Sequence, residues 1–233
     1  MTDFDYSNLS GRPVGPFVSL AARLLPGVRQ VQDQVEPYAA AWQRDNRLAV
    51  AGSGPLWVVL GDSLSQGIGA SGHDRGWVGQ LAEQLIAQGR ISRVLNLAVS
   101  GARVSDVLDR QLPALQALPT PPALVTLLIG SNDLFRRRYR LELPAGFEVL
   151  LQRLPAGTVV ANLPNPNATA DALNRSLQRA VTDRGLVLAD LRQRETTSWR
   201  GKLAADHFHP NDLGYAGIAR VFADAIEPLA ELR

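Results

Sequence analysis

Four short stretches of this 233-residue chain hold the residue types needed to attack a carbonyl carbon. The first, Gly61-Asp62-Ser63, offers a hydroxyl nucleophile at what reads as a strand-to-helix turn. The last, Asp206-His207-Phe208-His209-Pro210-Asn211, offers a base with a carboxylate beside it. In a compact turn, residues three apart bring their side chains together. Asp206 can then accept from His209 Nδ1–H and fix the tautomer, leaving Nε2 to take the Ser63 proton. His207 is the rival base, but it directly follows Asp206, so the two side chains tend to diverge, and it ranks below His209. Between these stretches lie Ser100-Gly101-Ala102 and Gly130-Ser131-Asn132-Asp133. A glycine at 101 lets a backbone N–H approach a ligand with no Cβ in the way. Asn132 can aim its amide at the same spot, and Asp133 is expected to be a local structural acceptor. Taken singly, each stretch has a plainer reading as a capped helix start, a turn glycine or an Asx turn. The serine stretch is also not the G-x-S-x-G elbow, since Ser65 stands two residues after Ser63.

Order and placement give these residues their weight. Apolar runs at Leu56–Leu60, Val94–Val99, Ala123–Ile129, Thr158–Leu163 and Leu186–Leu191 are expected as strands. Helices are expected at Trp77–Gln88, Val104–Leu115, Phe147–Leu154, Ala168–Arg184 and Asn211–Leu229. Such alternation predicts an α/β protein, a three-layer α/β/α sandwich around a five-stranded parallel sheet. Ligands bind beyond the carboxyl ends of such strands. The Ser, Gly, Asn and Asp-x-x-His stretches follow expected strands one, two, three and five, in that order.

Ahead of this pattern, residues from Met1 to about Gly15 are polar and turn-rich and are expected to form a loosely draped tail. Phe17, Ala21, Leu24, Val28, Val31, Val35, Tyr38 and Trp42 then recur at alternating steps of four and three, which places them on one helical face. Pro26-Gly27 should break this helix, and Pro37 should start or kink a second piece. Ala51 to Pro55 reads as a linker. The expected organisation is a tail and helical extension over 1–52 and the main domain over 53–233. The extension is expected to pad the sheet, with a lid or a dimer contact as the sharper alternatives.

From Leu56 to the C-terminus the chain resembles the SGNH hydrolase superfamily, the GDSL-type esterases and lipases. Its GDS block is similar to Gly61–Ser63, its glycine block to Gly101, its G-x-N-D block to Gly130–Asp133 and its D-x-x-H block to Asp206–His209. The resemblance implies a flavodoxin-like SGNH hydrolase fold and a serine esterase. Its steps would run through a Ser63 acyl-enzyme, with His209 as base and Asp206 as orienter. The oxyanion would be held by the N–H groups of Ser63 and Gly101 and by the Asn132 side chain. It implies a small-molecule or lipid ester as substrate, and no cofactor or metal. An acyltransferase with the same site is the nearest alternative. Others are a phosphate- or nucleotide-binding module on the glycine-rich Gly61–Gly72, which lacks both common nucleotide fingerprints, and a metal hydrolase on Asp206, His207 and His209.

Composition narrows the classes further. Charged residues make up 20% of the chain and hydrophobic residues 45%, which places it among folded proteins. The net charge is only +2 with scattered arginines, so nucleic acid is not an expected partner. With no cysteine, neither a disulfide nor a thiolate metal site is possible. No apolar stretch approaches the ~18 residues of a membrane span, and Arg23 interrupts the nearest candidate, Phe17 to Leu25. No signal peptide is read, and a cytoplasmic location is the default expectation. The oligomeric state is open. Arg136-Arg137-Arg138-Tyr139-Arg140 reads as a solvated charge run, with attraction of anionic esters as the sharper alternative.

Overall fold

The computed structural model describes residues 5–13, 15–193, 196 and 198–229, without the side chains of 16–18, so Phe17 lies outside the described side chains. Strands β1 (Leu56–Gly61), β2 (Arg93–Asn96), β3 (Leu124–Leu128), β4 (Val159–Ala161) and β5 (Val187–Ala189) form one parallel sheet in the order β2-β1-β3-β4-β5. Every residue of β1 and β3 is buried, which explains why these two strands read as continuous apolar runs. Val58 and Leu60 point into one apolar layer, Trp57 and Val59 into the other. The first layer is closed by Val104–Gln116, by α9 (Arg137–Arg153) and by α10 (Ala168–Arg184). The second is closed by α5 (Trp77–Ala87) and α11 (Asp212–Ile226), where Trp77 stacks on Phe222 at 4.1 Å between ring centres.

This strand order puts a topological switch point between β1 and β3. The chain leaves β1 towards one edge of the sheet and later returns on the other side, so the turns after β1 and β3 part and leave a crevice between them. The short helices α4 (Ser63–Gln66) and α8 (Ser131–Leu134) start at its two lips.

Two expected helices differ in form. The one over Phe147–Leu154 begins ten residues earlier, at Arg137, and runs through Pro144. Its first turns are exposed and carry arginines, so apolar spacing appears only from Leu143 through Phe147, Leu150 and Leu151. The one over Val104–Leu115 is divided into α6 (Val104–Asp106) and α7 (Leu112–Gln116) by a wide turn over Val107–Gln111, where Leu112 N–H donates to Val107 O. Pro113, just beyond, has no N–H to continue a regular ladder.

Of the stretch expected as a loose tail, Met1–Phe4 and Val14 lie outside the described residues, and the described part is anchored. Tyr6 is buried and its hydroxyl donates to Leu97 O at 2.6 Å, while Asn8, 1% exposed, donates to Asn96 O and Ala98 O at 2.8 and 2.9 Å. β2 is an edge strand whose outer carbonyls need donors, and these residues supply them. The helical extension has three pieces, α1 (Pro16–Leu24), α2 (Pro26–Gln32) and α3 (Val35–Ala51). The break before Pro26 falls where the sequence placed it. The second break comes at Asp33-Gln34 instead of Pro37, which sits in the first turn of α3, where a missing N–H costs no helical bond. α3 runs along the β2 edge. Asn46 Oδ1 accepts from Asn96 N at 2.8 Å and its Nδ2 donates to Asn96 O at 2.7 Å, so one side-chain amide stands in for a neighbouring strand. Among the described residues no helix is long and apolar enough to cross a membrane.

Candidate active site

The turn after β1 brings Ser63 to the first position of α4. Gly61, at φ +154°, makes the sharp exit possible, because a Cβ there would lie 2.6 Å from Leu128 O and 2.5 Å from Ser65 Oγ. The Gln111 side chain holds both backbone groups of Gly61. Its Oε1 accepts from Gly61 N and its Nε2 donates to Gly61 O, each at 2.8 Å. Asp62 caps α4 by accepting from Leu64 N at 3.0 Å. Ser63 itself is 7% exposed.

His209 arrives from the far end of the chain. β5 ends at Ala189, and a long excursion separates it from the histidine stretch, which therefore does not follow the strand directly as the sequence suggested. The stretch is a small hairpin. Ala204 N donates to His209 O at 2.8 Å, Asn211 N to Lys202 O at 2.9 Å and His207 N to Ala204 O at 3.0 Å. Asn211 fastens its base, donating to Gly201 O and capping α11 through Leu213 N and Gly214 N. In this turn His209 Nδ1 lies 2.6 Å from Asp206 Oδ2, and His209 Nε2 lies 3.1 Å from Ser63 Oγ. Asp206 Oδ1 also accepts from the N–H groups of Phe208 and His209, each at 3.0 Å. Burial pushes the Asp206 carboxyl up, but the bonds from His209 and these N–H groups outweigh it and hold it below the usual carboxylate value. His207 is exposed, with φ +56°, and is no part of this chain of contacts.

Asn132 comes from α8, across the crevice. Its Nδ2 donates to Ala102 O at 2.9 Å and to Asp62 Oδ2 at 3.2 Å. Gly101, at φ +75°, lines the same cavity as Ser63, Asn132 and His209. Neither Ser63 N–H nor Gly101 N–H donates to another group among the described residues, so both are available to a ligand. Asp133 is a structural acceptor both locally, from its own backbone N–H, and at a distance, where its Oδ2 accepts from Val104 N at 3.2 Å. Burial pushes the Asp62 carboxyl up to about 7, against its bond from Leu64 N–H, and pushes Asp133 up to about 6.

Two cavities meet at Ser63 and Asn132. One, of about 200 Å3, runs inward past Leu128, Leu163, Leu191 and Trp199. The other, of about 560 Å3, opens beneath the N-terminal helices. Phe135 and Phe208, 64% and 51% exposed, stand 5.4 Å apart and border both, with the Phe208 ring edge-on to His209. Of the arginine run, Arg136 reaches the rim of the larger cavity. Arg137, Arg138 and Arg140 are exposed, and Tyr139 lies under the Arg103 guanidinium at 4.0 Å. Among the described residues no three His, Cys, Asp or Glu side chains converge as a metal site requires.

Three supports escaped the reading of the sequence: Gln111, Gln66 and Asn96. Gln66 Nε2 donates to Asn8 O and Ala98 O, and its Oε1 accepts from Ser100 N. Asn96 Nδ2 donates to Ser65 O at 2.7 Å. The signal available was a polar residue inside an apolar run, as in Val94-Leu95-Asn96-Leu97.

The model of the GDSL-like lipase/acylhydrolase family matches residues 59–216. A search of curated proteins found no match. Among solved structures, TesA is similar at 24% identity, covering 75% of this chain and 99% of its own, with a TM-score of 0.61. An acetyl xylan esterase from Geobacillus stearothermophilus is similar at 23% identity over 75% of this chain and 95% of its own, TM-score 0.59. The salicylyl-acyltransferase SsfX3 of a tetracycline biosynthetic pathway is similar at 16% identity over 77% of this chain and 56% of its own, TM-score 0.55. At these identities the likenesses bear on the fold, the α/β sandwich described above.

Proposed function

The chain belongs to the GDSL-like lipase/acylhydrolase family, as a serine hydrolase acting on ester bonds, and on that premise we propose that it works through a Ser63 acyl-enzyme. The observation that carries this reading is the line of contacts Ser63 Oγ to His209 Nε2 to His209 Nδ1 to Asp206 Oδ2. His209 Nε2 takes the proton of Ser63 as Oγ attacks the ester carbonyl. Asp206 holds the ring and offsets the positive charge that forms on it. The N–H groups of Ser63 and Gly101 and the Asn132 amide receive the negative charge on the carbonyl oxygen. Asn132 has two amide hydrogens, and the longer of its two bonds, to Asp62, is the one this oxygen displaces. His209 returns the proton to the leaving alcohol. It then takes one from water as the water attacks the acyl-enzyme, and returns it to Ser63 Oγ as the acid leaves.

The substrate is a small-molecule or lipid ester. That two cavities converge on Ser63 also favours a second reading, in which an alcohol or amine replaces water in the last step. Hydrolysis of p-nitrophenyl acetate by the wild type, Ser63→Ala and His209→Ala tests the mechanism. Either variant should lose roughly 10⁴–10⁶-fold in kcat with an unchanged circular dichroism spectrum. Wild-type turnover in Ser63→Ala would refute the assignment. Adding an alcohol and measuring ester against free acid among the products separates transfer from hydrolysis.

A further inference from the structure

The larger cavity has two kinds of wall. Its floor is the site, with Ser63, Gly101, Asn132 and His209. Its roof is the N-terminal extension, where Ala21 of α1, Val28 and Val31 of α2 and Val35 of α3 face it, opposite Ile68 and Phe208. Among the described residues, no charged side chain of the extension lines this space. Gln32 is its polar contribution there, and Arg136 stands at the rim. The volume, about 560 Å3, lies within the range of pockets that take up most of a small ligand's surface. An apolar roof over a reactive floor suits a ligand with a polar reacting end and an aliphatic remainder, since removing methylenes from water is favourable.

The roof is fastened to the catalytic loops. Gly27 of α2 lies so close to the histidine hairpin that a Cβ there would sit 2.1 Å from Ala205 O. From α3 and the residue before it, side chains at steps of four hold the loop that follows Ser63. Gln34 donates to Ala70 O at 3.1 Å and accepts from Gly69 N at 2.7 Å. The Tyr38 hydroxyl donates to Ala70 O at 2.8 Å, and Trp42 Nε1 donates to Gln66 O at 3.1 Å. These bonds seat the roof on the serine loop, and the close approach of Gly27 seats it on the histidine loop. The family match begins at residue 59, so this roof belongs to a part of the chain outside it.

We infer that the N-terminal extension forms the subsite for an aliphatic chain of the ester, with Val28, Val31 and Val35 as its selectivity-determining residues. The inference rests on Ser63 being the nucleophile of the same site. The chain is supplied either by the acid or by the alcohol of the ester, and the two are separable.

The test compares kcat/KM along p-nitrophenyl acetate, butyrate, octanoate and decanoate, and along ethyl, butyl, octyl and decyl acetate. Wild type is set against Val28→Phe, which fills the space, and Val28→Asp, which charges it. Val28 is half-buried on a helix, so both changes can be accommodated, and circular dichroism establishes that they are. Wild type should prefer the longer chains in one series. In that series the decanoate/acetate or decyl/ethyl ratio should fall roughly tenfold or more in each variant. The acyl series responding assigns the chain to the acid, the alkyl series to the alcohol. A wild type with Ser63-dependent turnover but no preference for longer chains, or ratios in both variants equal to those of wild type, overturns the inference and leaves the mechanism standing. Absence of Ser63-dependent turnover on every ester overturns the mechanism beneath it.

Discussion

The turns at the carboxyl end of the sheet and the helices of the N-terminal extension face each other across one cavity, and they are held in place differently. The turns are fixed by bonds to backbone and by close approach. Gly61 is gripped by Gln111, Asp62 caps the helix that Ser63 opens, and Asp206 accepts from two N–H groups of its own turn. Little room is left for such residues to differ. The extension contributes apolar side chains to the cavity and reaches the rest of the molecule through a few long side chains, Gln34, Tyr38, Trp42 and Asn46. Its cavity face needs only shape and apolarity. The contrast assigns chemistry to the turns and selection to the extension, because a reacting atom tolerates less displacement than an aliphatic chain does.

The sharpest way to break this contrast is on the side of the turns. Asn132→Ala should lower kcat by roughly 10²–10³-fold with little change in KM, as for loss of a donor that matters most in the transition state. Steady-state kinetics on p-nitrophenyl acetate reads this directly, and a pure KM effect would remove Asn132 from the oxyanion site. On the side of the extension, Gly27→Ala drives a methyl group into Ala205 O. Overpacking of this kind costs about 1–3 kcal/mol, so Tm should fall by several degrees and kcat by less than in Asn132→Ala. An unchanged Tm would show that the extension is not seated on the histidine hairpin.

The smallest effect is electrostatic. Burial raises the Asp62 carboxyl from 3.8 to about 7 on folding, so the folded state holds a proton that the unfolded chain gives up. The stability this contributes is fully present below pH 3.8 and is lost as pH rises through about 7. Asp133 acts in the same direction up to about 6. Asp206, held low, acts in the opposite direction, contributing stability above its unfolded value that is lost on acidification. Thermal unfolding of wild type between pH 4 and pH 7 should therefore show a decline that Asp62→Asn lessens, by at most about 1.4 kcal/mol per pH unit. Identical slopes would mean that Asp62 is charged throughout.

Much of the sheet and of the site was legible because it is locally encoded. Trp57-Val58-Val59-Leu60 is buried on both faces and so reads as an unbroken apolar run, and α10 has the bounds its amphipathic spacing predicts. Asp206 and His209 meet within a single turn, so their pairing follows from separation along the chain. Only the second half of α9 is legible, because its first turns are solvated and carry no apolar period. Tyr6 and Asn8 read as part of a tail, because what orders them is an edge strand some ninety residues away. Gln111 and Gln66 carry no local signal for the same reason, their partners lying 50 and 32 residues distant at Gly61 and Ala98.

By itself, then, the sequence determined the strands, most of the helices, their order, and the identity of the residues clustered at the ends of β1 and β3 and before α11. Each of these depends on neighbours a few positions away, through periodicity, turn chemistry or side-chain reach. The tertiary structure alone decided that Ser63 Oγ lies 3.1 Å from His209 Nε2, that Asn132 lines the same cavity from across the crevice, and that Ala21, Val28, Val31 and Val35 roof it. Those facts depend on how the strands are ordered and how far each crossover carries the chain. No local pattern encodes them, because they arise only when distant segments bury their apolar faces against one another.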